Sequence, residues 1–136
     1  MQKPADIEYS EAGKAMATLG NEYADHEVIV KQGEPGNCMY VVQEGQVEAI
    51  VESDGREMRL RTMGPNDFFG EMALFGIEKR SCTIRALGKA RVLTIDKKNF
   101  LGGIQEDPSM AFRIVKVMSQ RIHDLTDRLA EYEMKR

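Results

Sequence analysis

Short apolar runs recur along this chain with turn residues between them, and that rhythm limits the folds open to it. Glu27–Val30, Met39–Val42, Val47–Val51, Glu57–Arg61, Thr83–Ala86 and Arg91–Ile95 read as strands. Between them stand Gly33-Glu34-Pro35-Gly36-Asn37, Glu44-Gly45, Asp54-Gly55, Gly64-Pro65-Asn66-Asp67 and Leu87-Gly88. Asp54-Gly55 is a two-residue hairpin signal, because both residue types accept positive φ. Strands this short and this regularly punctuated imply a jelly roll or β-roll rather than a parallel sheet. The pattern then changes. Lys97–Ile104 reads as a short helix, and Asp107-Pro108 opens a long one with Asp107 as N-cap and Pro108 at the first helical position. The predicted class is mainly β with C-terminal α. Residues 1–106 form the roll with short flanking helices, and residues 107–136 form a long helix of the same domain. Ala12, Ala15, Met16 and Ala17 give the polar stretch 1–18 weak helical character.

At 136 residues the chain is one domain, and 42% hydrophobic with 30% charged residues is ordinary globular composition. No apolar run approaches the length of a membrane span, and the first residues lack a signal-peptide core. A net charge of −3 argues against a nucleic-acid surface, which needs a basic stripe. Two cysteines without metal-ligand spacing point to a reducing cytoplasm.

The chemistry concentrates in Phe69-Gly70-Glu71-Met72-Ala73-Leu74, followed by Arg80-Ser81-Cys82-Thr83. Gly70 has no Cβ and lets backbone approach a ligand closely. A helix opening near Glu71 would leave its first N–H groups free for an anion. Arg80 can meet the same anion with a bidentate fork of donors. Glu71 would repel a phosphate, so it is expected to face a hydroxyl. A 3′,5′-cyclic nucleotide offers both groups, its phosphate and its free 2′-hydroxyl. Glu71 and Arg80 are taken together as a charged pair that would be costly to keep buried without a ligand.

This segment closely resembles the phosphate-binding cassette of the cyclic nucleotide-binding domain family, through Gly-Glu-x-Ala-Leu and then Arg followed by a small residue. The resemblance runs from about Gly20 to the final helix. It implies a ligand site of Gly70, Glu71, Met72, Ala73, Arg80, Ser81, Cys82 and Thr83. Ser81 and Cys82 would give a hydroxyl and a backbone N–H to the phosphate, and the Thr83 hydroxyl would reach the base. Cys82 stands where the family usually has alanine or another small residue, and a small buried filler is its simplest role. Ala49, Leu60 and Met63 would wall the base. The lid positions of bacterial relatives read Leu125 and Thr126 here, so only Thr126 keeps a hydroxyl. The implied ligand is cyclic AMP, with cyclic GMP as the other candidate.

Ala111, Val115, Met118, Ile122, Leu125, Leu129 and Tyr132 repeat at 4-3-4-3-4-3, a three-heptad seam that needs a partner. Met110, Ile114 and Val117 add a second apolar face in the first half only. The early turns therefore pack on the β-domain as well as on a partner helix. Arg121, Asp124, Asp127, Arg128, Glu131 and Glu133 read as solvated flanks. The resemblance implies the same homodimer through the long helix. A monomer with the helix folded over the roll is the other arrangement.

His26 in a turn and His123 on the helix are too far apart to seed a metal site of cupin type. Cys38 and Cys82 cannot supply the four thiolates of an iron–sulfur cluster within one chain. No nucleophile–base set or paired carboxylates appear, so the expectation is a regulatory sensor that is not an enzyme and carries no metal. Transcription activators of this family continue into a helix-turn-helix, and here the sequence stops at Arg136. The expected protein is a stand-alone sensor without direct nucleic-acid binding, acting through an effector protein, or the regulatory part of something longer such as a transcription factor or channel. The remaining alternative is a dimerisation module with a vestigial pocket.

Overall fold

Residues 19–77 and 79–135 are described in this computed structural model of the chain; the weak helix read over residues 12–17 lies outside them. Six antiparallel strands form one sheet: β1 Asn21–Tyr23, β2 Val28–Val30, β3 Cys38–Ser53, β4 Arg56–Met63, β5 Phe68–Phe69 and β6 Thr83–Asp96. The path runs β1-β6-β3-β4, with β2 on β6 and β5 on β3. A five-residue 3-10 helix, Glu71–Phe75, follows β5. Helices α1 (Lys97–Glu106) and α2 (Pro108–Met134) complete the chain.

Two strand pairs expected from the turn signals are single long strands. Glu44-Gly45 does not break β3, and Leu87-Gly88 does not break β6. The turn residues are absorbed as register shifts between Val42 and Gln46 against β6. Such bulges let a strand bend without ending. They also reverse the side-chain parity of β3. Before them the even positions Tyr40 and Val42 join the inner cluster of the roll, and after them the odd positions Val47 and Ala49 do. The bend rolls the sheet so that both halves of β3 line one interior.

That interior holds Val30, Val42, Val47, Ala49, Met63, Phe69, Ile84, Ala86, Ala90 and Val92. The opposite face of the first half of β3 gives a second core, where Met39 and Val41 meet Phe68, Leu74, Leu93, Ile95 and Phe100. Met110, Ile114, Val117 and Met118 of α2 close over this second core. Asp54 and Gly55 have φ of 53° and 77°, the paired positive values that a tight hairpin between β3 and β4 requires. Asp96 caps α1 through Asn99 N–H, and Asp107 caps α2 through Ser109 N–H ahead of Pro108.

One charged residue is buried on the outer side of β3. Glu48 accepts from Arg59 at 2.9 Å and from Arg85 at 2.6 Å, and Arg85 also reaches Glu57. The hydrogen bond from Arg85 outweighs burial and holds the Glu48 carboxyl below its ordinary 4.5. A depressed folded pKa stabilises the fold fully above the unfolded value, and that contribution is lost as pH falls through the folded one. Glu48→Gln should therefore melt below the parent at neutral pH. The gap should close as pH drops below 4.5, and a gap constant down to acid pH in paired thermal melts would contradict the assignment.

Candidate functional site

Two pieces of backbone carry the site: the Gly70–Phe75 turn after β5, and residues 79–82 leading into β6. Gly33 N–H donates to the Arg80 carbonyl at 2.8 Å, and Arg80 N–H donates to the Glu34 carbonyl at 2.9 Å. The turn after β2 thus fixes the entry to β6. Between these segments and the inner faces of β3 and β4 lies a cavity of about 300 Å³, the lower end of the range for small-ligand sites. α2 covers its open side with Met118, Arg121, Ile122 and Leu125.

Arg80 is buried, at 8% exposure. Its Nη1 donates to the Gly70 carbonyl and its Nη2 to the Cys38 carbonyl, each at 3.0 Å. The guanidinium also lies over the Tyr40 ring, 5.6 Å from the centroid. Tyr40 stacks in turn on Phe69, and burial, reinforced by the Cys38 thiol, pushes its phenol up to about 12. Two glycines make room for this arrangement. A Cβ at Gly36 would stand 2.2 Å from Arg80 Cζ, and one at Gly70, whose φ is +78°, would stand 2.8 Å from Nη1. Guanidinium has five N–H donors and no acceptor. Backbone carbonyls therefore hold its direction and leave its charge without a carboxylate partner among the described residues.

Glu71, also buried, does not pair with Arg80 as the sequence reading had it. Its Oε1 accepts from Arg121 Nη1 of α2 at 3.2 Å. Arg121 Nη2 donates to the Phe68 carbonyl, and its guanidinium lies 4.7 Å from the Phe68 ring centroid. The helix that follows Gly70 is a single 3-10 stretch, and the Ala73 N–H is already taken by the Gly70 carbonyl. Its dipole is correspondingly small, so the positive charge at this end of the cavity comes from Arg80 and not from the helix.

The structure brings Gly70, Glu71, Met72, Ala73, Arg80, Ser81, Cys82, Ala49 and Met63 to the cavity wall. Three expected residues stand elsewhere. Leu60 packs partly buried against the roll core, outside the lining. Thr83 is buried with its hydroxyl accepting the Gln32 N–H at 2.9 Å, which turns it away from the cavity. Thr126 is exposed, because the helical twist presents Leu125 to the cavity instead. Sequence reasoning missed Arg121, Arg61 and the steric role of Gly36. For Arg121 a signal was present: Met110, Ile114 and Val117 continue to Arg121 at 4-3-4 spacing, the inward stripe of α2.

The described residues contain no group of His, Cys, Asp and Glu able to hold a metal. No helix among them is long and apolar enough to cross a membrane.

A rolled antiparallel sheet with a buried arginine and glutamate over one cavity defines a small-ligand-binding module, capped by a helix. Residues 21–107 match the cyclic nucleotide-binding domain family, and the chain belongs to it. The chain is 37% identical over 79 residues to a cAMP-dependent protein kinase regulatory subunit of Blastocladiella emersonii, covering 57% of this chain and 20% of that one. The crystal structure of Thermus thermophilus catabolite activator protein superposes with a TM-score of 0.76 at 26% identity, over 88% of this chain and 57% of that chain. Bd1971, an EAL enzyme, is similar in its cAMP-bound form (TM-score 0.59, 26% identity, 80% of this chain and 30% of that). Its cGMP-bound form gives a TM-score of 0.58 at 26% identity over 75% and 27%. The chain spans from 20% to 53% of the length of the curated relatives it matches.

Burial raises the Cys82 thiol above its ordinary 9.0, against the pull of Ser81, Arg61 and Arg121. In a Cys38→Ser background, the iodoacetamide reaction of Cys82 should show its midpoint above pH 9.0. A midpoint below that value would mean that the cavity wall leaves the thiol solvated.

Proposed function

We propose that this chain is a non-catalytic sensor of a 3′,5′-cyclic purine nucleotide, seated in the cavity under α2. The observation that carries this reading is the Arg80 guanidinium, buried and without a carboxylate among the described residues, opposite a buried Glu71 in the same cavity. A cyclic phosphate supplies the missing counter-charge to Arg80, with Ser81, Cys82 and the Gly70–Ala73 backbone around it. The ribose 2′-hydroxyl donates to Glu71. Ala49 and Met63 flank the base, and Leu125 rather than Thr126 lies above it. The names of the kinase regulatory subunit and of the cAMP-bound neighbour support cyclic AMP as a candidate, and the cGMP-bound form keeps cyclic GMP beside it. No metal takes part.

Occupancy is transmitted through α2. A 2′-hydroxyl on Glu71 competes with Arg121 for the same carboxylate, so ligand and helix position are energetically linked. Such a ligand shifts α2 only by its differential affinity for the two arrangements. The roll and α2 act as one domain. The protein works in the cytoplasm as a homodimer, relaying the state of α2 to an effector protein, and α2 touches neither nucleic acid nor membrane.

Arg80→Ala should lose about 2–5 kcal/mol of binding, which is roughly thirty-fold to several thousand-fold in affinity. Arg80→Lys should also weaken binding, because an ammonium cannot reproduce the fork. A 2′-deoxy cyclic nucleotide should bind clearly worse than its parent. Isothermal titration of protein stripped of ligand by unfolding and refolding decides this. Parent-like affinity in the Arg80 variants would exclude the cavity as the phosphate site.

The dimer has its own test. Val115, Ile122, Leu129 and Tyr132 are each more than 60% exposed on the single chain, which is a costly state for an apolar seam. Ala111 and Met118 are half-buried, Met118 against the second core. Leu129→Glu should convert a dimer to a monomer in sedimentation equilibrium while its far-UV spectrum keeps the strand signal. A monomeric parent protein would rule out the seam.

A further inference from the structure

Arg61 breaks the pattern of its strand. Its Cα pairs with that of Ala49 across β3 and β4, and directly paired residues share a face of the sheet. Arg61 is therefore on the inner wall with Ala49 and Met63, where the alternation calls for an apolar side chain. It is half-buried and lines the cavity with Cys82 and Leu125. No hydrogen bond or ion pair to its guanidinium is made among the described residues. Burial, followed by repulsion from Arg121, weakens its hold on its proton, and Glu71 opposes this only at a distance because its carboxylate already accepts from Arg121. An arginine nonetheless stays charged in a protein. The wall so carries a set of N–H donors that nothing among the described residues accepts.

The remaining demands on a ligand assign those donors. With the phosphate on Arg80 and the ribose on Glu71, the base is the part left to meet the inner face of β4. Guanine presents two adjacent acceptors on one edge, N7 and O6, and the guanidinium fork matches them together. Adenine presents the N7 acceptor beside the N6 amino donor, so one arm of the fork would face donor against donor. A buried donor left unmet carries its full desolvation cost.

We propose that Arg61 reads the base and selects a purine with a carbonyl at C6, guanine, over adenine. This rests on the cyclic purine nucleotide reading of the same cavity. It gives this chain a base preference opposite to the one implied by its relatives' names.

The test is calorimetric titration of the full chain, stripped of ligand, with cyclic GMP, cyclic AMP and cyclic IMP. Cyclic GMP should bind roughly ten- to hundredfold more tightly than cyclic AMP, the range of one bidentate arginine–guanine contact. Cyclic IMP keeps N7 and O6 but lacks the 2-amino group, and it should follow cyclic GMP. Arg61→Leu should bring cyclic GMP and cyclic AMP to within about threefold of each other by removing the fork. Equal or tighter binding of cyclic AMP to the parent would overturn the role of Arg61 and leave the cyclic nucleotide reading standing. So would cyclic IMP behaving like cyclic AMP, a result that needs no folded variant. An unchanged ratio in a folded Arg61→Leu would do the same. Failure of all three nucleotides to bind the folded parent would overturn the sensor reading and this one with it.

Discussion

A buried arginine directed by two backbone carbonyls, with no carboxylate on it among the described residues, is the constraint around which this molecule is organised. The Gly70 and Cys38 carbonyls hold Arg80 in direction but do not neutralise it. Removing a charge from water is costly unless it is paired and hydrogen-bonded. The described residues meet only the second half of that condition for Arg80. The carbonyls come from the end of β5 and the start of β3, two segments paired as antiparallel neighbours at Tyr40–Phe69. Arg80 thereby fastens the cavity floor to the sheet at the point where both cores meet. Gly36 and Gly70 are part of the same device, since a methyl group at either would collide with the guanidinium.

A second arginine ties the cavity to the long helix. Arg121 reaches Glu71 with one nitrogen and the Phe68 carbonyl with another, and its flat face rests on the Phe68 ring. Phe68 belongs to the second core, which α2 covers with Met110, Ile114, Val117 and Met118. In the proposed sensor, a ligand hydroxyl on Glu71 would therefore act directly on the residue that anchors the middle of α2. The coupling needs no chain of intermediaries, because Glu71 and Arg121 are in direct contact. Breaking one partner of so buried a pair leaves the other uncompensated, which makes the link stiff.

The fold and the cassette were legible in the sequence to different depths. The turn residues gave the hairpin at Asp54-Gly55 but not the short strands β1 and β5, and the apolar spacing gave both helices. They overcounted the strands at Glu44-Gly45 and Leu87-Gly88, because a bulge and a chain end share the same glycine chemistry. Gly70, Glu71 and Arg80 were legible because the requirement for close approach, an acid and a base is local. Arg121 was not, because a charged residue on a helix beyond its apolar half reads as solvated. Arg61 escaped for a related reason: it ends an apparent strand, and only the register with Ala49 fixes its side as inward. Thr126 failed by one residue of helical twist, and Leu60 because the register shift between β3 and β4 skips it and seats it on the core beside the cavity rather than in its wall. Side assignment, more than element assignment, is where sequence periodicity loses its grip.

Ile122 and Leu125 belong to two surfaces at once. Both line the cavity edge, and both are at least half exposed on the seam of α2. Each therefore has one side toward the cavity and another toward solvent. A ligand base that fills the space beneath Leu125 removes the water from one side of it. A partner helix would remove the water from the other, and each burial lowers the cost of the next. In the proposed sensor, ligand binding and helix pairing would therefore reinforce each other through these two side chains, while Arg121 between Met118 and Ile122 holds the helix to Glu71. The same stretch of α2 thus forms the cavity roof and the charge clamp, and its heptad spacing leaves a further apolar stripe that the proposed dimer would cover.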